Sequence, residues 1–351
     1  MKPNLFNDAT SELSQDAFIA WLLQWASPHC KTYDPDLHAC ASDFTKRLLS
    51  LQTSSPDSIK SIKAGRKGDG KKHIDVWAEV NDDLLLIIED KTFTGKHSGQ
   101  LPRYRQEANE RCERTGRKLV CVYLKTGSES SSSLNEVRKE GFAVFSRKDF
   151  IESLDCPSVK NDIFNDFRDR IISLEEEESQ YPNKNIADWT GPDWKGFYQG
   201  LEEQLGRDLG WGIVNPPGGG QFWNATLNTP DTDALWDDRC IYMQIEQGPL
   251  CFKICEFYEK QSEVRDKIHR IIMECCKGRM DIKRPQRLGA GKCMTVARVE
   301  RKDWLGADNE KVDMNAVADR IKDYESLLRQ VIRDANQSGA ASSNTTVAST
   351  V

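Results

Sequence analysis

Nowhere does the 351-residue sequence offer the roughly 20 consecutive apolar residues that a membrane-spanning helix needs. The apolar run near the residues singled out below, 84–88, is five residues long, and no spanning segment is expected. The opening residues, MKPNLFNDATSEL, lack an apolar signal core and a small-residue cleavage site, which sets the expectation of a cytoplasmic protein. Paired cysteine motifs are missing too. The 11 cysteines are scattered without a CxxC pair, and neither Cys251 with Cys255 nor the adjacent Cys275 and Cys276 has the spacing of a zinc module. Reduced, mostly buried thiols are expected instead. There is no excess of positive charge: the net charge is −6 and the pI about 5.6. That argues against a protein that coats duplex nucleic acid, but leaves room for an acidic site beside a local basic patch. GxSxG and HExxH are absent, which weakens serine-hydrolase and zinc-protease readings. The glycine triplet at 218–220 fits neither a phosphate-binding loop nor a dinucleotide fingerprint and reads as a turn.

What is present suits a globular chain of one large domain or two medium ones, with 38% hydrophobic and 30% charged residues. Phe18, Trp21, Leu22 and Trp25 recur at helical spacing over 14–27, with Ser14 as the expected cap. A second helix is expected over 39–51. Strands follow at 58–64, at 73–80 and at 84–91, joined by the glycine-containing turn 66–72 and a tight turn at 81–83. The run LLLIIEDK at 84–91 is apolar until its charged end, as in a central strand covered on both faces. A helix over 99–115 has Pro102 in its first turn. Strands at 119–124 and 142–145 flank a serine-rich loop at 126–133, and 149–174 has a helical pattern. The order α, β, β, β, α, β, β, α predicts an α/β domain over 1–180, a mixed central sheet flanked by helices. An α+β domain of unassigned role is expected over 185–336, and a disordered polar tail over 337–351.

The chemistry concentrates in residues 74–104. Asp75 is followed fourteen residues later by Glu89, Asp90 and Lys91, and then by Gln100 and Tyr104. Residues two apart on a strand point the same way, so Glu89 and Lys91 share a face and Asp90 points away. A hairpin brings Asp75 beside Glu89. Two carboxylates and an ammonium then meet at the end of a buried strand, where unpartnered charge is costly. A divalent cation, Mg²⁺ or Mn²⁺, is the natural partner of hard oxygen ligands from Asp75, Glu89 and the main-chain carbonyl of Asp90. Lys91 would position an attacking water and offset phosphate charge. On ExK alone, an ordinary ion-paired strand end is the commoner explanation. The Asp on the preceding strand and the apolar run before Glu89 favour the functional one.

The stretch IDVWAEVNDDLLLIIEDK resembles the second and third motifs of the PD-(D/E)XK nuclease superfamily, and QLPRY resembles the QxxxY helix motif of its RecB-like branch. Ile74 stands where the superfamily often has proline. The segment ELSQDAFIAWLLQW is similar to the first helix of an uncharacterised branch, with Glu12 at the position of that helix's acid. The resemblance implies a restriction-endonuclease-like core and a metal-dependent nuclease that cuts DNA. It gives Asp75, Glu89, Lys91 and Glu12 as catalytic residues and Gln100 and Tyr104 as residues that order the site or bind the strand. By analogy it also suggests a role in bacterial defence. A catalytically silent or partner-dependent nucleic-acid-binding module is the rival from another class, and a homo-oligomer or partner protein stays open. Arg66, Lys67, Lys71 and Lys72, with Arg103 beside Tyr104, are candidates for gripping a phosphate backbone; a solvated hairpin tip explains the first four equally well. His73, Lys96, His97 and Arg105 are weaker candidates. Trp189, Trp194, Phe197, Tyr198, Trp211 and Trp223 are expected in a core rather than stacked on bases, as are Phe222 and Trp236.

Overall fold

Alternation along one strand sets the centre of the first half of the chain. In residues 84–88, Leu84, Leu86 and Ile88 point to one side of a sheet, and Leu85 and Ile87 to the other. Only a sheet covered on both faces can bury all five, at roughly 1.5–3 kcal/mol of burial for each side chain. The computed structural model describes residues 2–66, 74–92, 95, 99–215, 220–227, 240–255, 261–289, 291 and 293–344. Two compact units are present, Met1–Glu177 and Glu178–Val351.

Unit 1 runs in the order α1 (Leu5–Asp8), α2 (Glu12–Trp25), α3 (Pro35–Ser50), β1 (Ile62–Arg66), β2 (Val76–Val80), β3 (Leu84–Lys91), α4 (Gln100–Thr115), β4 (Lys118–Lys125), α5 (Ser131–Lys139), β5 (Ala143–Ser146), α6 (Arg147–Ser153) and α7 (Asp162–Ser179). The strands form one sheet in the order β1-β2-β3-β4-β5. The first three pair antiparallel; β3, β4 and β5 pair parallel. This is the mixed sheet flanked by helices that the sequence pattern predicts. Asn81 and Asp82 make the β2–β3 turn with φ of 52° and 60°, a left-handed backbone that short polar side chains tolerate. Phe18, Ile19, Leu22 and Leu23 of α2 pack on one face with α3 and α7, against Val76, Leu86, Ile88 and Val122. Leu101, Tyr104, Ala108 and Cys112 of α4 cover the other face, against Trp77, Leu85, Ile87 and Tyr123. Ile74, expected on the face of Val76, precedes the strand and packs on the α4 side.

Several boundaries differ from the sequence reading, each for a local reason. Helix α2 starts at Glu12 because Ser11, not Ser14, caps it: Ser11 Oγ accepts the Ser14 N–H. Glu12 therefore lies inside the helix, where the positive end of the helix dipole favours an acid. The last residues of the expected serine-rich loop, 131–133, open helix α5, because Ser130 serves as its cap. The single helix expected over 149–174 is two, separated where Pro157 cannot continue a helix. Four cysteines expected as reduced thiols form two disulfides, Cys40–Cys156 and Cys255–Cys293. Partners 116 and 38 residues apart leave no local signal, and only the fold sets the distance between their Cα atoms. Of the remaining cysteines, Cys112, Cys121, Cys251 and Cys276 are buried thiols.

Unit 2 contains α8 (Gly191–Leu205), β6 (Gly210–Val214), β7 (Phe222–Leu227), β8 (Cys240–Glu246), β9 (Leu250–Cys255), α9 (Gln261–Cys275), β10 (Ile282–Lys283), β11 (Cys293–Val299), α10 (Arg301–Trp304) and α11 (Met314–Asn344). Its strands make an antiparallel sheet in the order β10-β11-β9-β8-β7-β6. Trp189, Trp194, Phe197, Tyr198 and Trp211 are buried in its core, as their patterning predicts, and Phe222 and Trp223 are half-buried. Trp236 lies outside the described residues, as do Gly218 and Gly219 of the glycine triplet. The backbone of α11 stays helical to Asn344, past residue 336 where the polar composition places the end of order; the alanines at 340 and 341 are strong helix formers.

Close approach of two strand ends makes one glycine obligatory. A Cβ on Gly127, just after β4, would sit 1.8 Å from the carbonyl oxygen of Thr92, just after β3. Gly127→Ala is therefore expected to destabilise the protein by about 1–3 kcal/mol, measured as a lower urea midpoint. An unchanged midpoint would show that this approach is not tight.

Candidate active site

Strand parity carries the side chains of interest to the α4 face. Glu89 and Lys91 extend the row begun by Leu85 and Ile87, and Asp75 precedes β2 on the side that Trp77 occupies. Lys91 Nζ lies 2.6 Å from Glu89 Oε1 and 3.7 Å from Asp75 Oδ2, and also donates to the main-chain carbonyl of Asp90 at 3.2 Å. Asp75 Oδ2 accepts the Asp90 N–H at 3.2 Å, which ties the hairpin together at the site. The Glu89 side chain is 1% exposed and the Lys91 side chain 7%. Gln100, in the first turn of α4, donates from Nε2 to Glu89 Oε1 at 2.6 Å and lies 2.9 Å from Tyr104 Oη. The four-residue spacing in the sequence does place Gln100 and Tyr104 on one helical face, turned toward the strand.

The Asp90 side chain points through the sheet to the other face. There it accepts from Gln15 Nε2 of α2 and stands beside Asp16. Gln15 in turn accepts from Thr126 Oγ1, and the Thr126 N–H donates to the carbonyl of Lys91. Glu12 Oε1 accepts the Thr92 N–H at 3.1 Å and so holds the end of β3; its charge also acts on Lys91. Gln15, Asp16 and Thr126 escape the sequence reading. A signal exists for two of them: Gln15 and Asp16 are polar residues at positions that the helical periodicity buries.

Burial governs how these groups titrate. The Glu89 carboxyl is pushed up to about 8, first by burial and then by the charge of Asp75, against the opposing pull of Lys91. Asp16 is pushed up to about 7, again by burial first and Asp75 second. Asp90 is raised well above the ordinary carboxylate range by burial and by Asp16. Asp16 Oδ1 and Asp90 Oδ2 are buried with no donor, a want that a proton on either carboxyl would meet. For Lys91, burial pulls downward, but the hydrogen bond to Glu89 and the charges of Glu89 and Asp75 outweigh it and keep the ammonium.

The remaining candidates are dispersed. Arg66 ends β1, close enough for its charge to act on Asp16. Arg103 is exposed, with its guanidinium 5.2 Å from the ring centre of Tyr104. The Arg105 guanidinium packs against Gly141, away from this cluster. Lys67, Lys71, Lys72, His73, Lys96 and His97 lie outside the described residues.

As for an ion, the donors present are hard oxygens: Asp75, Glu89 and the carbonyl of Asp90. Glu89 Oε2 is buried and has no hydrogen-bond partner, which is the vacancy a cation would answer. Among the described residues, no group of three or more His, Cys, Asp or Glu side chains forms a ready metal cage. Two carboxylates and a carbonyl nevertheless fit Mg²⁺, which keeps several waters of its own.

A family model described as the PD-(D/E)XK nuclease superfamily matches residues 3–192, more than half of the chain. No curated protein and no solved structure was found to match it.

The raised carboxyl of Glu89 has a thermodynamic consequence. Between its ordinary value of 4.5 and about 8, the folded metal-free protein holds this proton and the unfolded chain does not. The folded state binds more protons there, so stability falls as pH rises through that window. Melting temperatures measured in EDTA should decline over this range, and Glu89→Gln should flatten the decline. A slope that the substitution leaves unchanged would show that Glu89 does not hold the proton.

Proposed function

The chain belongs to the PD-(D/E)XK nuclease superfamily, and on that premise we propose that it is a Mg²⁺- or Mn²⁺-dependent nuclease that hydrolyses phosphodiester bonds in DNA. The observation that carries the reading is the convergence of Asp75 and Glu89 on the Lys91 ammonium, at 3.7 and 2.6 Å, at the end of β3. Glu89 Oε2, buried with no hydrogen bond from the protein, is the oxygen on which a cation could be accepted.

In this reading Asp75, Glu89 and the Asp90 carbonyl hold the divalent ion. When bound, such an ion polarises a phosphodiester and lowers the pKa of a coordinated water. The protein's own groups do the rest. Gln100 restrains Glu89 through Oε1 and leaves Oε2 facing the site. Tyr104 braces Gln100 from the next turn of the helix, which supports assigning the pair to the RecB-like QxxxY motif. Lys91 donates hydrogen bonds from an ammonium that its neighbours keep protonated, so it can orient a water and offset charge on the phosphate. Glu12 and Gln15 fix the end of β3 from the other helix, so the Asp90 carbonyl keeps its direction. Arg66 and Arg103 are the described members of the basic set proposed to meet the phosphate backbone. A cytoplasmic location is part of the same proposal.

The test is direct. Purified protein should degrade DNA with Mg²⁺ or Mn²⁺ and stop with EDTA. Asp75→Asn and Lys91→Met should each lower the cleavage rate by roughly 10²–10⁴-fold while melting as a folded protein. Cleavage that survives both substitutions refutes the assignment. An isothermal titration with Mn²⁺ that shows no uptake favours the binding-module alternative.

A further inference from the structure

The parallel partner of β3 brings a second lysine to the same face. In the β3–β4 register Glu89 pairs with Tyr123 and Lys91 with Lys125. Tyr123 belongs to the α4-side core, so Lys125, two residues on, projects from that face as Lys91 does. The Lys125 side chain is 5% exposed, close to the 7% of Lys91. Its Nζ lies 3.5 Å from Glu129 Oε2. Glu129 is held independently, by the hydroxyl of Tyr123 on Oε2 and the hydroxyl of Ser133 on Oε1. The reading of Asp75, Glu89 and Lys91 makes no use of this cluster.

From this geometry we infer that Lys125 is a second phosphate-binding cation of the site, contacting the backbone of the strand that Lys91 serves. Crevices outside the carboxyl ends of parallel strands are where such sheets bind ligands, and β3 and β4 end side by side. A buried ammonium needs a compensating anion. In the protein alone Glu129 supplies it, and a phosphate oxygen can take over that role. The exchange leaves Glu129 with two hydroxyl donors, so releasing the lysine does not strand a bare carboxylate. A lysine on a structural errand would more simply be paired with an acid that depends on it.

The inference rests on the nuclease reading, and binding separates the two. The full chain in EDTA is titrated against a fluorescein-labelled single-stranded DNA oligonucleotide over a range of salt. Lys125→Met keeps the side-chain stem and removes the charge. It should weaken binding roughly three- to tenfold at low salt and lower the salt slope by about 0.7, the share of one phosphate contact on a single strand. If that variant does not fold, Lys125→Met combined with Glu129→Gln removes both charges together, and the slope should still fall. A folded variant that binds with the wild-type slope, while the wild type still cleaves DNA with Mg²⁺, overturns the role of Lys125 and leaves the nuclease reading standing. Wild-type protein that neither binds nor cleaves DNA or RNA overturns both.

Discussion

Near-exclusion of water from the end of β3 is the constraint that the surrounding polar structure obeys. Glu89 and Asp90 are each 1% exposed and Lys91 is 6% exposed. Carrying one unpaired charge to such a place costs several kcal/mol, so every ionisable group there needs a partner of opposite charge or a proton. The two faces of the strand answer differently. On the α4 face an ammonium serves two acids. On the α2 face two carboxyls, Asp16 and Asp90, stand together beside the Gln15 amide, and burial raises the proton affinity of both. A single step of side-chain alternation thus sends Glu89 and Lys91 to one face of the sheet and Asp90 to the other.

Alternation is also why this much of the site is legible in the sequence. Five apolar residues between turn signals followed by Glu-Asp-Lys read as a central strand, and a period of two then assigns Glu89 and Lys91 to one side. The short turn at Asn81 and Asp82 makes the antiparallel neighbour predictable, so Asp75 can be placed as well. The parallel neighbour cannot. The register of β4 against β3 is set by the packing of an intervening helix, a non-local quantity, and with it go Tyr123, Lys125 and Glu129. The disulfides are hidden for the same reason. Gln15 and Asp16 are missed differently: two polar residues in the first turns of a helix look like ordinary capping chemistry, although the helical period turns them toward the sheet on which α2 packs.

The crossover that hides Lys125 from the sequence also builds the site. After Lys91 the chain leaves the sheet, enters α4 and returns as β4, so the first turn of the helix falls above the strand ends. Gln100 reaches Glu89 from there, whereas a tight hairpin in place of the crossover would have offered no helix to carry it. After Lys125 the chain crosses again, and Thr126 and Gly127 pass close to the carbonyls of Lys91 and Thr92. Thr126 reaches Gln15 through its hydroxyl. Both crossovers therefore bind the ends of β3 and β4 to each other and to α2, and the carbonyl of Asp90 has little freedom to turn.

Under the proposed function, proton and cation occupancy at these acids would be linked. Burial raises the proton affinity of Glu89, and Asp75 raises it further. The formal count of carboxylates therefore overstates the negative charge present near neutral pH in the metal-free protein. Carboxylates bind cations only when ionised, so any cation taken up at Glu89 would have to displace its proton. Lys91 works in the same direction, since its ammonium stabilises the ionised form of Glu89. The lysine thus holds the acid part-way toward the state in which it can bind an ion, at the cost of occupying one of its oxygens. The geometry limits that cost: Lys91 and Gln100 both engage Oε1, and Oε2 is left without a donor.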